Sequence, residues 1–306
     1  MDGILVIDKE PGPTSHDVVA QVRRLLGQPR VGHCGTLDPL ATGVLVICLG
    51  RYTRLSQWLG DEDKEYQATF VLGATSDTGD AQGQVNPSPI DPAGPEPDRE
   101  AMLSALHGLE GVREQVPPAY SAVKVHGVPS YRLARRDAAV PLAPRTVRVN
   151  AVNLVGYEYP RVEVRVECGK GTYVRSLAVE LGERLGCGGY VEALRRLRAG
   201  TLDLGRAVSM DRLARATANG SLADCLVPVE EALSGIPRVV LEAESDRSFC
   251  HGNPVPFATA ATTGSVAAVF DAAGSFRGIG AWDRQRGVLA PRAVLVGPET
   301  EVVPGG

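Results

Sequence analysis

The 306-residue sequence is poor in the features that mark secreted, membrane or metal-stapled proteins. Its six cysteines lie at positions 34, 48, 168, 187, 225 and 250, so no Cys-x-x-Cys pair exists. Cys250 and His251 are adjacent, but a structural zinc needs four converging ligands, and two neighbours alone do not supply them. Reduced, mostly buried thiols and no metal are expected. The longest apolar stretch, Val44–Leu49, is far short of the roughly 20 residues that cross a bilayer. Met1–Asp8 carries only the short run Ile4–Ile7 and no basic residue, so no signal peptide is expected. Neither a Gly-x-Gly-x-x-Gly unit nor a Gly-Lys-Ser/Thr phosphate loop occurs, and no cofactor is expected. Aromatic residues make up only 5%, yet 43% hydrophobic and 22% charged residues are ordinary globular values, which excludes a disordered chain. A soluble, cytoplasmic protein of about two domains is the expectation.

Positive charge is also scarce overall, with a net charge of −4. The deficit is local. Asp61–Glu100 holds ten acids against two bases. Ser121–Arg148 holds Lys124, Arg132, Arg135, Arg136, Arg145 and Arg148 against the single acid Asp137. A segregated basic segment is either a solvated helix face or the electrostatic footprint of a nucleic acid.

Ile4–Ile7 reads as a buried strand, and Pro11-Gly12-Pro13 as a turn. Thr14 or Ser15 then caps a helix with the stripe Val18, Val22, Leu25 and Leu26, stopped by Gly27. Strands follow around Tyr66–Leu72, Val147–Val152 and Arg161–Glu167. Leu177, Leu181 and Leu185 mark a helix, and Val191, Leu194 and Leu197 mark another. The order lacks a regular βαβ rhythm, so an α/β (α+β) fold with a mixed, largely antiparallel sheet flanked by helices is expected. Composition shifts near Gly235-Ile236-Pro237. Beyond it, Val266–Phe270, Phe276–Trp282 and Ala293–Val296 read as a small all-β unit.

The densest motif is Gly32-His33-Cys34-Gly35-Thr36-Leu37-Asp38-Pro39-Leu40-Ala41-Thr42-Gly43, a tightly specified loop. Pro39 holds Asp38 towards extended geometry. Such a carboxylate is either a nucleophile or base, or a turn aspartate bonded to nearby amides. On this motif the chain resembles the tRNA pseudouridine synthase B (TruB) family. Other blocks are similar in the family's order: Asp8–Ser15, with Glu10 inserted in a Lys-Pro pair; Lys64-Glu65-Tyr66; Thr75–Asp80; Pro117–Lys124; Lys170–Arg175; and Leu194–Leu197. Cys34 stands where many members carry Thr. The resemblance covers about residues 3–200, and the β-rich tail resembles a PUA-type RNA-binding module only loosely.

That resemblance implies a pseudouridine synthase fold over residues 1–234 and a PUA-like domain over 238–306. It implies isomerisation of uridine 55, in the T-arm loop of tRNA, to pseudouridine by base flipping. Asp38 would be the catalytic aspartate, Tyr66 would stack on the flipped base, and Tyr173 and Arg175 would line the pocket that Leu194 closes. His33 would fill the space the extruded uridine leaves, and Lys9 and Lys64 would sit near backbone phosphates. Lys124, Arg132, Arg135 and Arg136 are the further candidates for RNA backbone contact. A monomer with no obligate protein partner is expected. Three alternatives stand beside this reading: a non-catalytic protein that binds and folds tRNA, a guide-RNA-dependent relative, and a nucleoside glycosidase, which would need a second carboxylate.

Overall fold

The computed structural model describes residues 1–88, 96–121, 123–125, 127–134, 142–257 and 265–296. Its larger sheet has ten strands. The longer ones are β1 (Gly3–Lys9), β2 (Val31–His33), β3 (Thr42–Leu49), β4 (Lys64–Leu72), β5 (Gly111–Gln115), β6 (Arg145–Glu158), β7 (Arg161–Cys168) and β8 (Gly189–Ala199). They run in the order β1-β3-β8-β4-β7-β6-β5, with β2 on β3 and short pieces at Leu202–Asp203 and Leu226–Val227. The β3–β8 pair is parallel and the other pairs are antiparallel. The sheet is therefore mixed and largely antiparallel, as the irregular element order implies.

Ile4–Ile7 and Val44–Leu49 are apolar at every position because both faces of these strands are covered. Leu5, Ile7, Leu45 and Ile47 face one core, with Val18, Val19 and Val22 of helix α1 (Ser15–Leu26). Leu177 and Leu181 of helix α2 (Val174–Arg184) join the same core. Ile4, Val6, Val44 and Val46 face a second core on the opposite side. Thr14 caps α1 in a capping box with Asp17, and Gly27 ends it at φ 57°, the left-handed turn that glycine adopts without strain.

One expected element is different. Val191, Leu194 and Leu197 belong to strand β8 and not to a helix. Bulges at Val191/Ala193 and Arg196/Arg198 insert extra residues into the ladder. They turn a spacing of two into a spacing of three, which imitates a helical stripe.

The C-terminal unit is a five-stranded sheet. It comprises β9 (Arg238–Leu241), β10 (Val266–Asp271), β11 (Phe276–Asp283), β12 (Val288–Val294) and the short piece Val255–Pro256. It matches the small β unit expected, with an added helix, α3 (Ala243–Cys250), whose Phe249 is buried with Val239, Val269 and Leu289. Its other face closes the second core: Ala268, Phe270, Ile279 and Ala293 pack with Ile4, Val6 and Val44. Tyr52 meets Phe276 edge-on at 6.0 Å, and Arg54 donates to the Val294 carbonyl at 2.7 Å. The tail is thus seated on the main sheet. Among the described residues no helix is long and apolar enough to cross a membrane.

Candidate active site

The loop between β2 and β3 carries Asp38, and its shape is imposed from outside. Gly43, at φ 94°, lets β3 run against β8, since a Cβ there would lie 2.2 Å from the Arg196 carbonyl oxygen. The Ser15 hydroxyl accepts from the Leu37 N–H at 2.8 Å and donates to the Leu37 carbonyl at 2.9 Å. The Gly12 N–H donates to the Pro39 carbonyl at 2.9 Å. Lys9 lies beneath the loop, 1% exposed. Its ammonium donates to the carbonyls of Ala41 (2.7 Å), Glu10 (2.9 Å) and Pro39 (3.2 Å). Burial, with a further push from Arg196 and against the pull of Asp38, lowers its pKa to about 8.

Asp38 stands at the rim of a cavity of about 220 Å³ lined by Tyr66, Tyr173, Arg175, Leu194, Lys64 and Arg196 among others. Its side chain is 30% exposed, whereas Arg175 is 3% exposed. Arg175 Nη2 donates to Asp38 Oδ1 at 3.2 Å. Nε lies 2.9 Å from Oδ2, but its N–H is not aimed at that oxygen. The guanidinium also donates to the carbonyls of Thr78 and Tyr120, both at 2.8 Å. A second carboxylate, Asp80, is buried 3.8 Å from Nη1. Burial raises the Asp38 pKa above the ordinary aspartate value; Arg175 and Lys9 oppose the rise and Asp80 adds to it.

Tyr66 and Leu194 enter the cavity from neighbouring strands β4 and β8, and both are buried. Tyr173 precedes α2 and is fixed by Gln115, whose Oε1 accepts its N–H at 2.8 Å and whose Nε2 donates to its carbonyl at 3.2 Å. Five of the expected residues, Asp38, Tyr66, Tyr173, Arg175 and Leu194, therefore share one cavity. His33 is not among the cavity-lining residues. Its Nδ1 is buried without a hydrogen-bond partner, and burial, His16 and Arg196 push its pKa down.

Lys9 and Lys64, the residues expected near backbone phosphates, are buried. All three Lys9 donors are spent on carbonyls inside the protein. Lys64 reaches the cavity wall, but its ammonium is buried and donates to the carbonyls of Gly60, at 2.5 Å, and Glu62. Both lysines hold the fold around the site. In the basic segment, Arg132 is exposed on the short helix Ser130–Ala134. Arg135, Arg136 and the side chain of Lys124 lie outside the described residues.

Sequence reasoning missed Asp80, Gln115 and Arg196. Asp80 sits in the quoted block Thr75–Asp80 and Arg196 in Leu194–Leu197, but separation along the chain hid that both blocks converge on the Asp38 loop. Among the described residues no cluster of His, Cys, Asp and Glu is suited to a metal ion. Chemically, the site offers an ionisable, partly exposed carboxylate in a small cavity of mixed aromatic, apolar and cationic walls, with buried Arg175 fixing its orientation.

The chain matches the N-terminal domain of TruB family pseudouridylate synthases over residues 23–174. It matches the C-terminal domain of tRNA pseudouridylate synthase B over 175–234, and that of pseudouridine synthase II TruB over 237–295. A tRNA pseudouridine synthase B of Syntrophus aciditrophicus (strain SB) is 45% identical over 244 residues, 80% of this chain and 77% of that protein. The protein of the same name from Burkholderia lata is 42% identical over 300 residues, 97% of this chain and 91% of that one. Among solved structures, a chain of a Cbf5–Nop10–Gar1 complex superposes with a TM-score of 0.74 at 26% identity, covering 96% of this chain and 84% of that one. A chain of an H/ACA ribonucleoprotein bound to a substrate RNA containing 2′-deoxyuridine gives 0.74 at 23% identity, over 97% and 86% of the two chains. That last likeness is one of fold.

Proposed function

Because the chain belongs to the TruB family of pseudouridylate synthases, we propose that it isomerises a uridine of tRNA, position 55 in the T-arm loop, to pseudouridine, with Asp38 as nucleophile. The observation that carries the proposal is the Asp38 carboxylate, partly open at the cavity mouth and paired with buried Arg175. The tRNA substrate follows from the names of the relatives.

A base inside folded RNA is unreachable, so it must be turned out of the stack at a cost of a few kcal/mol. Tyr66 offers a stacking face worth roughly 1–3 kcal/mol per base, which offsets much of that cost. The cavity, at about 220 Å³, lies below the roughly 300–1,000 Å³ of sites for drug-sized ligands and suits one planar base. Leu194 and Tyr173 close it against water. The Asp38 carboxylate attacks the uridine and the N1–C1′ bond breaks. The base turns, C5 bonds to C1′, the bond to Asp38 breaks and frees the carboxylate, C5 loses its proton and N1 gains one. Atoms and electrons balance without a cofactor. Arg175 keeps Asp38 oriented and favours its ionised form against burial.

The same reading gives residues 1–234 the chemistry and 238–306 a PUA-like role in RNA binding. It gives Lys124, Arg132, Arg135 and Arg136 a role on the RNA backbone, and His33 the space vacated by the uridine. A cytoplasmic monomer acting without an obligate protein partner is part of the proposal.

The test is to incubate the chain with unmodified tRNA transcript and map pseudouridine by position, with Asp38→Asn as control. Conversion at position 55 by the wild-type chain alone is expected. Conversion elsewhere would overturn the position, and tRNA binding without conversion would favour the RNA-folding alternative.

A further inference from the structure

Arg196 is a buried charge that the proposed reaction leaves unused. It is 1% exposed, and among the described residues no carboxylate lies within ion-pair distance of it. Its partners are backbone oxygens: Nε donates to the Val44 carbonyl at 2.6 Å and Nη2 to the Gly35 carbonyl at 3.1 Å. Gly35 and Val44 are the two ends of the loop that carries Asp38. The backbone of Arg196 is also paired in register with Gly43 on one side and with Tyr66 on the other. Directly opposed residues on neighbouring strands project to the same face, so the guanidinium and the Tyr66 phenol lie side by side, and both line the cavity.

A buried cation without a carboxylate partner is expensive, and an apolar residue of similar volume would fill the same space at less cost. That cost calls for a task that needs a fixed set of N–H donors. We infer that Arg196 is a positioning residue of the isomerisation: it spans both ends of the Asp38 loop and sets the Tyr66 hydroxyl against the flipped base. The inference rests on the pseudouridine reading above. An arginine can only donate, so an N–H of Arg196 turned to the phenol oxygen would occupy a lone pair and direct the hydroxyl hydrogen away from itself, into the cavity. Burial raises the Tyr66 pKa, and the charge of Arg196 opposes that rise. One side chain thus couples the nucleophile's loop to the stacking ring, so a shift in either is felt by the other.

The experiment uses a T-arm stem-loop carrying tritium at uridine C5, whose release reports the isomerisation. Single-turnover rates and RNA affinity are measured for Arg196→Lys, Arg196→Gln, Tyr66→Phe and the Arg196→Lys/Tyr66→Phe pair. Misplacement by about 1 Å costs up to about 100-fold in rate, so Arg196→Lys should slow turnover at least about tenfold while affinity stays within about threefold. In the Tyr66→Phe background the same change should cost less than about threefold, because coupled residues are not additive. Fully multiplicative effects, or a loss of affinity with an unchanged single-turnover rate, would overturn the inference. Failure of both Arg196 variants to fold would also overturn it, since the residue would then be an anchor of the fold. A second readout needs no activity: the ultraviolet titration of Tyr66, taken as the difference from Tyr66→Phe, should move to higher pH in Arg196→Gln. A wild-type chain that releases no tritium refutes the proposed function, and an unmoved titration refutes the role of Arg196; the two failures are distinct.

Discussion

Asp38 and Arg175 meet along one edge, with Oδ1 3.2 Å from Nη2 and Oδ2 2.9 Å from Nε. The guanidinium cannot move to follow the carboxylate, because its other donors are held by the carbonyls of Thr78 and Tyr120. Orientation is therefore built in before any substrate arrives. Asp38→Asn keeps the shape and removes the charge of the proposed nucleophile. Turnover should vanish while tRNA affinity changes by less than about tenfold, since most RNA affinity comes from phosphate contacts. A variant that retains a few per cent of normal turnover would show that Asp38 is not the essential nucleophile.

The raised pKa of Asp38 has two consequences of opposite sign. Attack needs the carboxylate, so the acid limb of the pH–rate profile should lie above the ordinary aspartate range. For stability, a carboxyl whose folded pKa exceeds its unfolded value favours the folded state at low pH and loses that contribution as pH rises through the folded pKa. At neutral pH the ionised Asp38 is thus a cost. Asp38→Asn should melt at or above the wild-type temperature at pH 7, with the gap closing in acid. Melting curves across pH 4–8 decide it; a variant that melts well below wild type at pH 7 rules the account out.

Lys9 titrates at about 8 because it is buried. In the folded protein its ammonium closes three carbonyls around the Asp38 loop, and the neutral amine has one donor fewer. Activity should therefore fall as pH rises through about 8. The folded pKa lies below the unfolded value, so the unfolded chain holds more protons between the two, and Lys9's contribution to stability rises over that window. Lys9→Arg, which stays charged, should move the alkaline limb upward. An alkaline limb identical in the two proteins would exclude Lys9 as its source.

The parts of this molecule that were legible in its sequence are those set by local chemistry. Thr14 and Gly27 bound α1 because cap geometry needs only neighbours, and the Leu-Asp-Pro loop announced itself by composition. Asp38, Tyr66, Tyr173, Arg175 and Leu194 could be placed together only through resemblance, since no spacing rule joins residues so far apart. What escaped was tertiary. The bulges of β8 disguised a strand as a helix. The burial of Lys9 and Lys64 was not legible, because burial of a lysine leaves no mark on its neighbours in sequence. The unbroken apolar runs Ile4–Ile7 and Val44–Leu49 are the mark of strands covered on both faces, but nothing in them names what covers each face.

Arg132, Arg135 and Arg136 remain the candidates for a sequence-independent grip on RNA. Each phosphate contact removed should flatten the slope of log affinity against log salt by roughly 0.7–0.9. Replacing all three by Ala should weaken tRNA binding most at low salt, with the single-turnover rate at saturating RNA nearly unchanged. Unaltered affinity and slope would make the segment a solvated face.

The last prediction concerns the tail, where the shared core changes what the sequence suggests. With six Lys/Arg against seven Asp/Glu beyond Pro237, this unit looks like a weakly charged module tethered for extra contacts, and a core that folds without it is the natural expectation. Val269 and Trp282 do pack within the tail's own core. However, Ala268, Phe270, Ile279 and Ala293 share a core with Ile4 and Val6 of β1 and with Val44 and Val46 of β3, the strand that leads out of the Asp38 loop. Cutting after Ser234 uncovers that face, and each large apolar side chain returned to water loses roughly 1.5–3 kcal/mol. The truncated chain should therefore melt many degrees lower and bind a dye for exposed apolar surface. The cavity residues all precede the cut, so turnover of a short T-arm stem-loop should survive at low temperature, where the truncated chain is still folded. An unchanged melting temperature would show that the tail rests on the sheet without supporting it. A truncation that is folded yet inactive on the stem-loop would place part of the tail in the chemistry itself.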